Sequence, residues 1–103
     1  MDFERRRPPR YQPSVPVPVE YPNLKASIRD ISDEGAYIFD KRPLGLGRII
    51  EFHIKVSESL IDIRGIVRRS EPGAGMAVEF IEITNAAREQ LRRWLAAMGA
   101  ARP

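Results

Sequence analysis

A chain of 103 residues with 43% hydrophobic and 30% charged side chains suits one small globular domain with a single modest core, not a disordered tail or two domains. The absence of cysteine excludes disulfides, thiolate catalysis and thiolate zinc sites and fits a reducing, cytoplasmic setting. No stretch approaches the roughly 20 apolar residues of a spanning helix, and no apolar run of a signal peptide follows the opening arginines, so no membrane partner is expected. The net charge of +3 gathers at one end, where Arg5, Arg6, Arg7 and Arg10 outnumber Asp2 and Glu4, and an anionic partner is expected there.

Residues 1–13 read as a basic arm, charged and broken by Pro8, Pro9 and Pro13, with too little apolar content to pack by itself. Residues 14–99 read as the folded unit. Val15, Val17, Val19 and Tyr21 fall on one side of an extended segment. Pro16 and Pro18 cannot donate ladder hydrogen bonds, which predicts a strand at an edge or paired on one side only. Leu24, Ala26 and Ile28 alternate with Lys25, Ser27 and Arg29 in a half-buried strand that stops at Asp30 and Ser32, and strand resumes from Gly35 through Phe39. After a loop at Pro43–Gly47, Ile50, Phe52, Ile54 and Val56 alternate with Glu51, His53 and Lys55. Ser57–Ser59 turns the chain into a partner strand with Ile61, Ile63 and Val67 inward, and Ser70–Gly75 turns it again into Met76, Val78 and Phe80. Closely spaced short strands of this kind predict a mainly β, antiparallel barrel. From about Thr84 the period becomes helical, with Ala87, Leu91, Trp94, Leu95 and Met98 on one face and Arg88, Arg92 and Arg93 toward water. Thr84 or Asn85 can cap its start and Gly99 its end.

Two short constellations carry chemistry. Arg6 and Arg10 stand four apart, but Pro8-Pro9 disfavours the helix that would put them on one face. Extended at about 3.1 Å per residue, they leave the backbone about 12 Å apart and can reach different parts of one ligand. Guanidinium grips phosphate, or the O6 and N7 edge of guanine, bidentately, and stacks on bases. Alone, such a segment is more often a solvated basic tail. Asp30, Ser32 and Gly35 sit where a strand stops, a place where short polar side chains commonly stabilise a turn and glycine supplies a positive φ or clearance for a ligand. As a binding loop, Asp30 would accept from the N1 and N2 donors of guanine and Ser32 would add a hydroxyl contact. Asp33 and Glu34 are expected to face solvent.

Together, R-x-x-x-R before the first strand and D-x-S-x-x-G after the second resemble the PilZ family of bacterial cyclic di-GMP receptors, and the likeness continues through Pro43–Gly47, Ile66–Arg69, Gly75–Phe80 and the final helix. The resemblance implies a six-stranded antiparallel β-barrel with a C-terminal α-helix, and a ligand surface where the arginine segment crosses the D-x-S-x-x-G strand. It implies that Arg6 and Arg10 contact phosphates and guanine, with Arg5 beside them, and that Asp30, Ser32 and Gly35 hold a guanine and its ribose. The expected function is a cyclic di-GMP receptor or adaptor that orders its arm on binding and signals to a downstream protein, with no cofactor and no catalytic step. A protein-interaction module of the same fold and a basic-arm nucleic-acid binder are the alternatives. The second is disfavoured by few aromatics and by Asp30, Asp33 and Glu34 beside the arm. His53, with no cysteine or second histidine near it, reads as a surface residue. Gly45-x-Gly47 lacks the further glycine of a phosphate loop, and no nucleophile stands beside a base.

Overall fold

The computed structural model describes residues 9–13, 17–21, 24–56 and 59–100. Apolar residues at every second position give six strands, β1 (Pro18–Tyr21), β2 (Leu24–Ile31), β3 (Gly35–Phe39), β4 (Ile49–Val56), β5 (Ser59–Glu71) and β6 (Gly75–Glu82), followed by the helix α1 (Asn85–Ala100). All neighbours pair antiparallel, and the order β1-β2-β3-β6-β5-β4 closes on itself as a barrel. This is the six-stranded barrel with a C-terminal helix expected from the sequence. Among the described residues no helix is long and apolar enough to cross a membrane.

The barrel interior is filled by the inward set of each strand, including Val19, Ile31, Ile38, Ile54, Ile61, Val67 and Met76, all essentially without solvent contact. Ala87, Leu91 and Leu95 of α1 join the same core, with Trp94 and Met98 packed at its margin. The Thr84 hydroxyl accepts from the Ala87 N–H at 3.1 Å and so caps the helix start.

Four local expectations need correction. β1 is paired on both sides: Val19 and Glu20 oppose Ile54 and His53 of β4, while Pro18, the first residue of the strand, opposes only Ser27 of β2. The proline therefore stands where no donor toward β4 is needed, and the strand closes the barrel. β5 and β6 extend further than their turn residues implied, leaving only Pro72–Ala74 between them. Gly99 lies inside α1 and does not end it; a Cβ there would stand 3.2 Å from the Tyr11 ring, so the missing side chain makes a seat for that ring. Gly35 has no positive φ, a conformation that among the described glycines belongs to Gly47 and Gly73. Val15, Ser57 and Glu58 lie outside the described residues, as do the side chains of Tyr21 and Leu24.

Three register shifts interrupt the alternation, at Ile28/Asp30, Arg64/Gly65 and Val67/Arg69. Each adds a residue to one strand and reverses the faces that follow. In β2 the added residue is Arg29. Strict alternation would carry Asp30 to the core with Ile28; the bulge instead opposes Asp30 to the outward Tyr37 and sends Ile31 inside.

Candidate functional site

The arm reaches the barrel through one backbone pair. The Tyr11 N–H donates to the Ile31 carbonyl at 2.8 Å and the Ile31 N–H returns a bond to the Tyr11 carbonyl at 2.9 Å. Pro9 and Pro13 flank this pair and keep the segment extended. The Tyr11 ring then rests on Gly99 of α1. The expectation that the whole of residues 1–13 lacks a packing anchor is thus corrected at Tyr11, whose ring the sequence reading passed over. An aromatic residue beside Arg10 in a proline-framed stretch was the available signal.

Anchored there, Arg10 meets Asp30. Its Nε and Nη2 both stand 2.6 Å from Asp30 Oδ1, while Arg29 Nε donates to Oδ2 at 2.7 Å. Asp30 is buried, yet each carboxylate oxygen has a guanidinium partner, which offsets the cost of desolvating the charge. Arg29 also lies over the Tyr37 ring, 3.9 Å from its centroid. The Tyr37 hydroxyl donates to the Glu71 carboxylate. That bond raises the phenol pKa above its ordinary value, burial and the Glu71 charge add to the effect, and Arg29 and Arg69 oppose it.

The loop between β2 and β3 is built around Ser32. Its N–H donates to the Gly35 carbonyl at 2.8 Å, and its buried Oγ accepts from the Glu34 N–H at 3.1 Å. The hydroxyl proton has only a 3.5 Å approach to the Gly35 carbonyl, which leaves it the least committed donor of the turn. Gly35 is required by proximity: a Cβ there would stand 2.6 Å from the Val78 carbonyl of β6. Glu34 is exposed as expected, and Asp33 only partly so, its side chain 31% exposed. Its carboxylate turns toward α1, with Oδ2 3.9 Å from Arg92 Nε and Oδ1 buried without a hydrogen-bond partner among the described residues.

Arg10, Ser32 and Gly35 therefore line one open cleft of about 370 Å³ on the outer barrel surface, together with Arg68 of β5 and Ala77 and Glu79 of β6. Asp30 stands directly behind Arg10. Of the residues expected at a ligand site, Arg10, Asp30, Ser32 and Gly35 converge; Arg5 and Arg6 lie outside the described residues. A cleft with a fixed guanidinium, a hydroxyl whose proton is only loosely held and a glycine that lets a ligand approach the main chain can receive a flat, anionic ligand.

The sequence profile of the PilZ domain matches residues 4–97. Among solved structures, the Bacillus subtilis inhibitor of motility MotI/DgrA superposes with a TM-score of 0.74 over 95% of this chain at 20% identity, a likeness of fold. This chain spans 53% of that protein, about half its length. No curated protein matches the sequence.

Proposed function

Because the chain belongs to the PilZ domain family, we propose that it is a receptor for cyclic di-GMP whose ligand lies in the cleft between the arm, the Asp30–Gly35 loop and β6. The observation that carries this reading is the Tyr11–Ile31 bridge, which brings Arg10 onto Asp30 beside Ser32 and Gly35. Two nitrogens of Arg10 face Asp30, leaving about three of its five N–H donors for a phosphate or for the O6 and N7 edge of guanine. Asp30 keeps lone pairs for the guanine N1 and N2 donors, the edge that adenine lacks, while Arg29 holds its other oxygen. Ser32 donates its hydroxyl, and Gly35 lets the ligand approach the main chain. Arg5 and Arg6 close over the nucleotide from the arm, and this ordering on binding is what a downstream protein reads. The function includes no catalytic step and no cofactor.

Calorimetric titration with cyclic di-GMP, with cyclic di-AMP and a short single-stranded RNA in parallel, tests the reading. Saturable binding of the first alone is the expected result. Binding of RNA alone would replace it with the nucleic-acid reading, and binding of none with an interaction module.

A further inference from the structure

The cleft has a second wall that neither motif supplies. Along β5 the inward positions Ile61, Ile63, Gly65 and Val67 follow strict alternation, which continued would drive Arg69 into the core. The bulge between Val67 and Arg69 prevents this by inserting Arg68, since Val67 opposes Val78 and Arg69 opposes the next residue back, Ala77. Arg69 consequently joins Arg68, which alternation already turns outward, on the outer surface. They separate in role. Arg69 sits above Tyr37, 5.9 Å from the ring centroid, and Arg68 lines the cleft that holds Arg10, Ser32 and Gly35.

Arg68 Nε is held 2.6 Å from Oε1 of Glu79, and Glu79 opposes Gly35 across the β6–β3 pair. Arg68 thus stands two strand spacings, about 10 Å, from the β3 main chain, on the side away from Arg10. The pair is half exposed on both partners, so it contributes little to stability. What it does is hold the guanidinium at the cleft that Arg68 lines: Nε is taken by Glu79, which leaves the Nη donors for a ligand. A cyclic dinucleotide carries two phosphates and two bases on opposite sides of its ring. An arginine arm on one side leaves the other half without a cation.

We propose that Arg68 is a further ligand-holding guanidinium, supplied by the barrel and not the arm, gripping the half of the cyclic dinucleotide that faces away from Arg10, by its phosphate or by the O6 and N7 edge of its guanine. The proposal rests on the receptor reading above. Its test is titration of cyclic di-GMP into the wild type, Arg68→Ala and Arg68→Gln, with Arg64→Ala as the control. Arg64 lies on the same strand and is paired with Glu51 and Glu82, outside the cleft-lining residues, so its loss changes net charge equally. Thermal melting of each variant verifies folding.

Arg68→Ala and Arg68→Gln should each weaken binding by about tenfold or more, and Arg64→Ala should stay within about twofold of wild type. Wild-type binding that survives both Arg68 substitutions within about twofold, or falls no further than in Arg64→Ala, overturns the role of Arg68 and leaves the receptor reading standing. A wild-type protein that does not bind cyclic di-GMP overturns both.

Discussion

Asp30 has two separable tasks at the residue scale, and substitution distinguishes them. Arg10→Ala removes a charge-assisted contact worth about 1.5–3 kcal/mol, so cyclic di-GMP affinity should fall roughly ten- to hundredfold, with a modest fall in melting temperature because the buried Asp30 keeps only Arg29 as a partner. Asp30→Ala releases Arg10 and Arg29 together and also deletes the acceptor for guanine. Its loss should be larger for cyclic di-GMP than for cyclic di-AMP, measured by competition; equal losses would confine Asp30 to positioning Arg10. Gly35→Ala acts differently. Its Cβ would press on the Val78 carbonyl at 2.6 Å, and relieving that overlap should cost about 1–3 kcal/mol of stability, visible as a lower urea midpoint. Tyr37 supplies a pH signature. Because its folded-state pKa lies above the ordinary value of about 10, its contribution is intact below that pH and is lost as pH rises through the folded value. Stability should therefore decline above about pH 10, and Tyr37→Phe should flatten this part of the decline in alkaline unfolding curves.

Among the elements, the short Pro9–Pro13 segment does work out of proportion to its size. It pairs with the end of β2, sets Arg10 against Asp30 and places Tyr11 on Gly99. Tyr11→Ala should lower cyclic di-GMP affinity several-fold through looser placement of Arg10, although the aromatic ring need not touch the ligand. A chain beginning at Tyr11 should keep its circular dichroism spectrum and bind nothing. How far such elements can be read from sequence depends on what positions them. Val19, Ile54, Ile61 and Leu91 announce their burial by periodicity, since face and period are local properties. Asp30, Ser32 and Gly35 were legible because turn chemistry is local too. The role of Arg68 was not: alternation already turns it outward, but the cleft it lines joins β5 to the β2–β3 loop and the arm, which are far apart in sequence. The docking of Tyr11 on Gly99 was equally hidden. It joins residues at opposite ends of the chain, and each has an ordinary local meaning, an arm residue and a helix stop. The two-sided pairing of β1 is hidden for a related reason: the prolines forbid donors, but whether a donor is needed at a given position depends on the partner strand.

At the level of the whole molecule, the shortest ladder among the described residues is the one that closes the barrel, the contact of Val19 and Glu20 with Ile54 and His53. Opening free energies vary across a fold, and they are lowest where few backbone bonds and little apolar area are at stake. Native-state hydrogen exchange should accordingly show the β1–β4 amides exchanging faster than those of the β4–β5 ladder, which runs from Ile49↔Ile66 to Val56↔Ser59. Arg10 lies on the same stretch of chain, eight residues ahead of Pro18 where that short strand begins, so a ligand that fixes Arg10 should slow exchange at the closure as well as at the cleft. Closure by so few pairs has a further consequence, in the behaviour of many copies together. Should β1 detach, the β2 and β4 backbones both lose a partner, and the β1 of a neighbouring copy carries the matching register and the same Val19 to fill the gap. Strand exchange between copies is then the ready alternative to reclosing. Dimers and higher species should accumulate with concentration on mild heating, and cyclic di-GMP should suppress them.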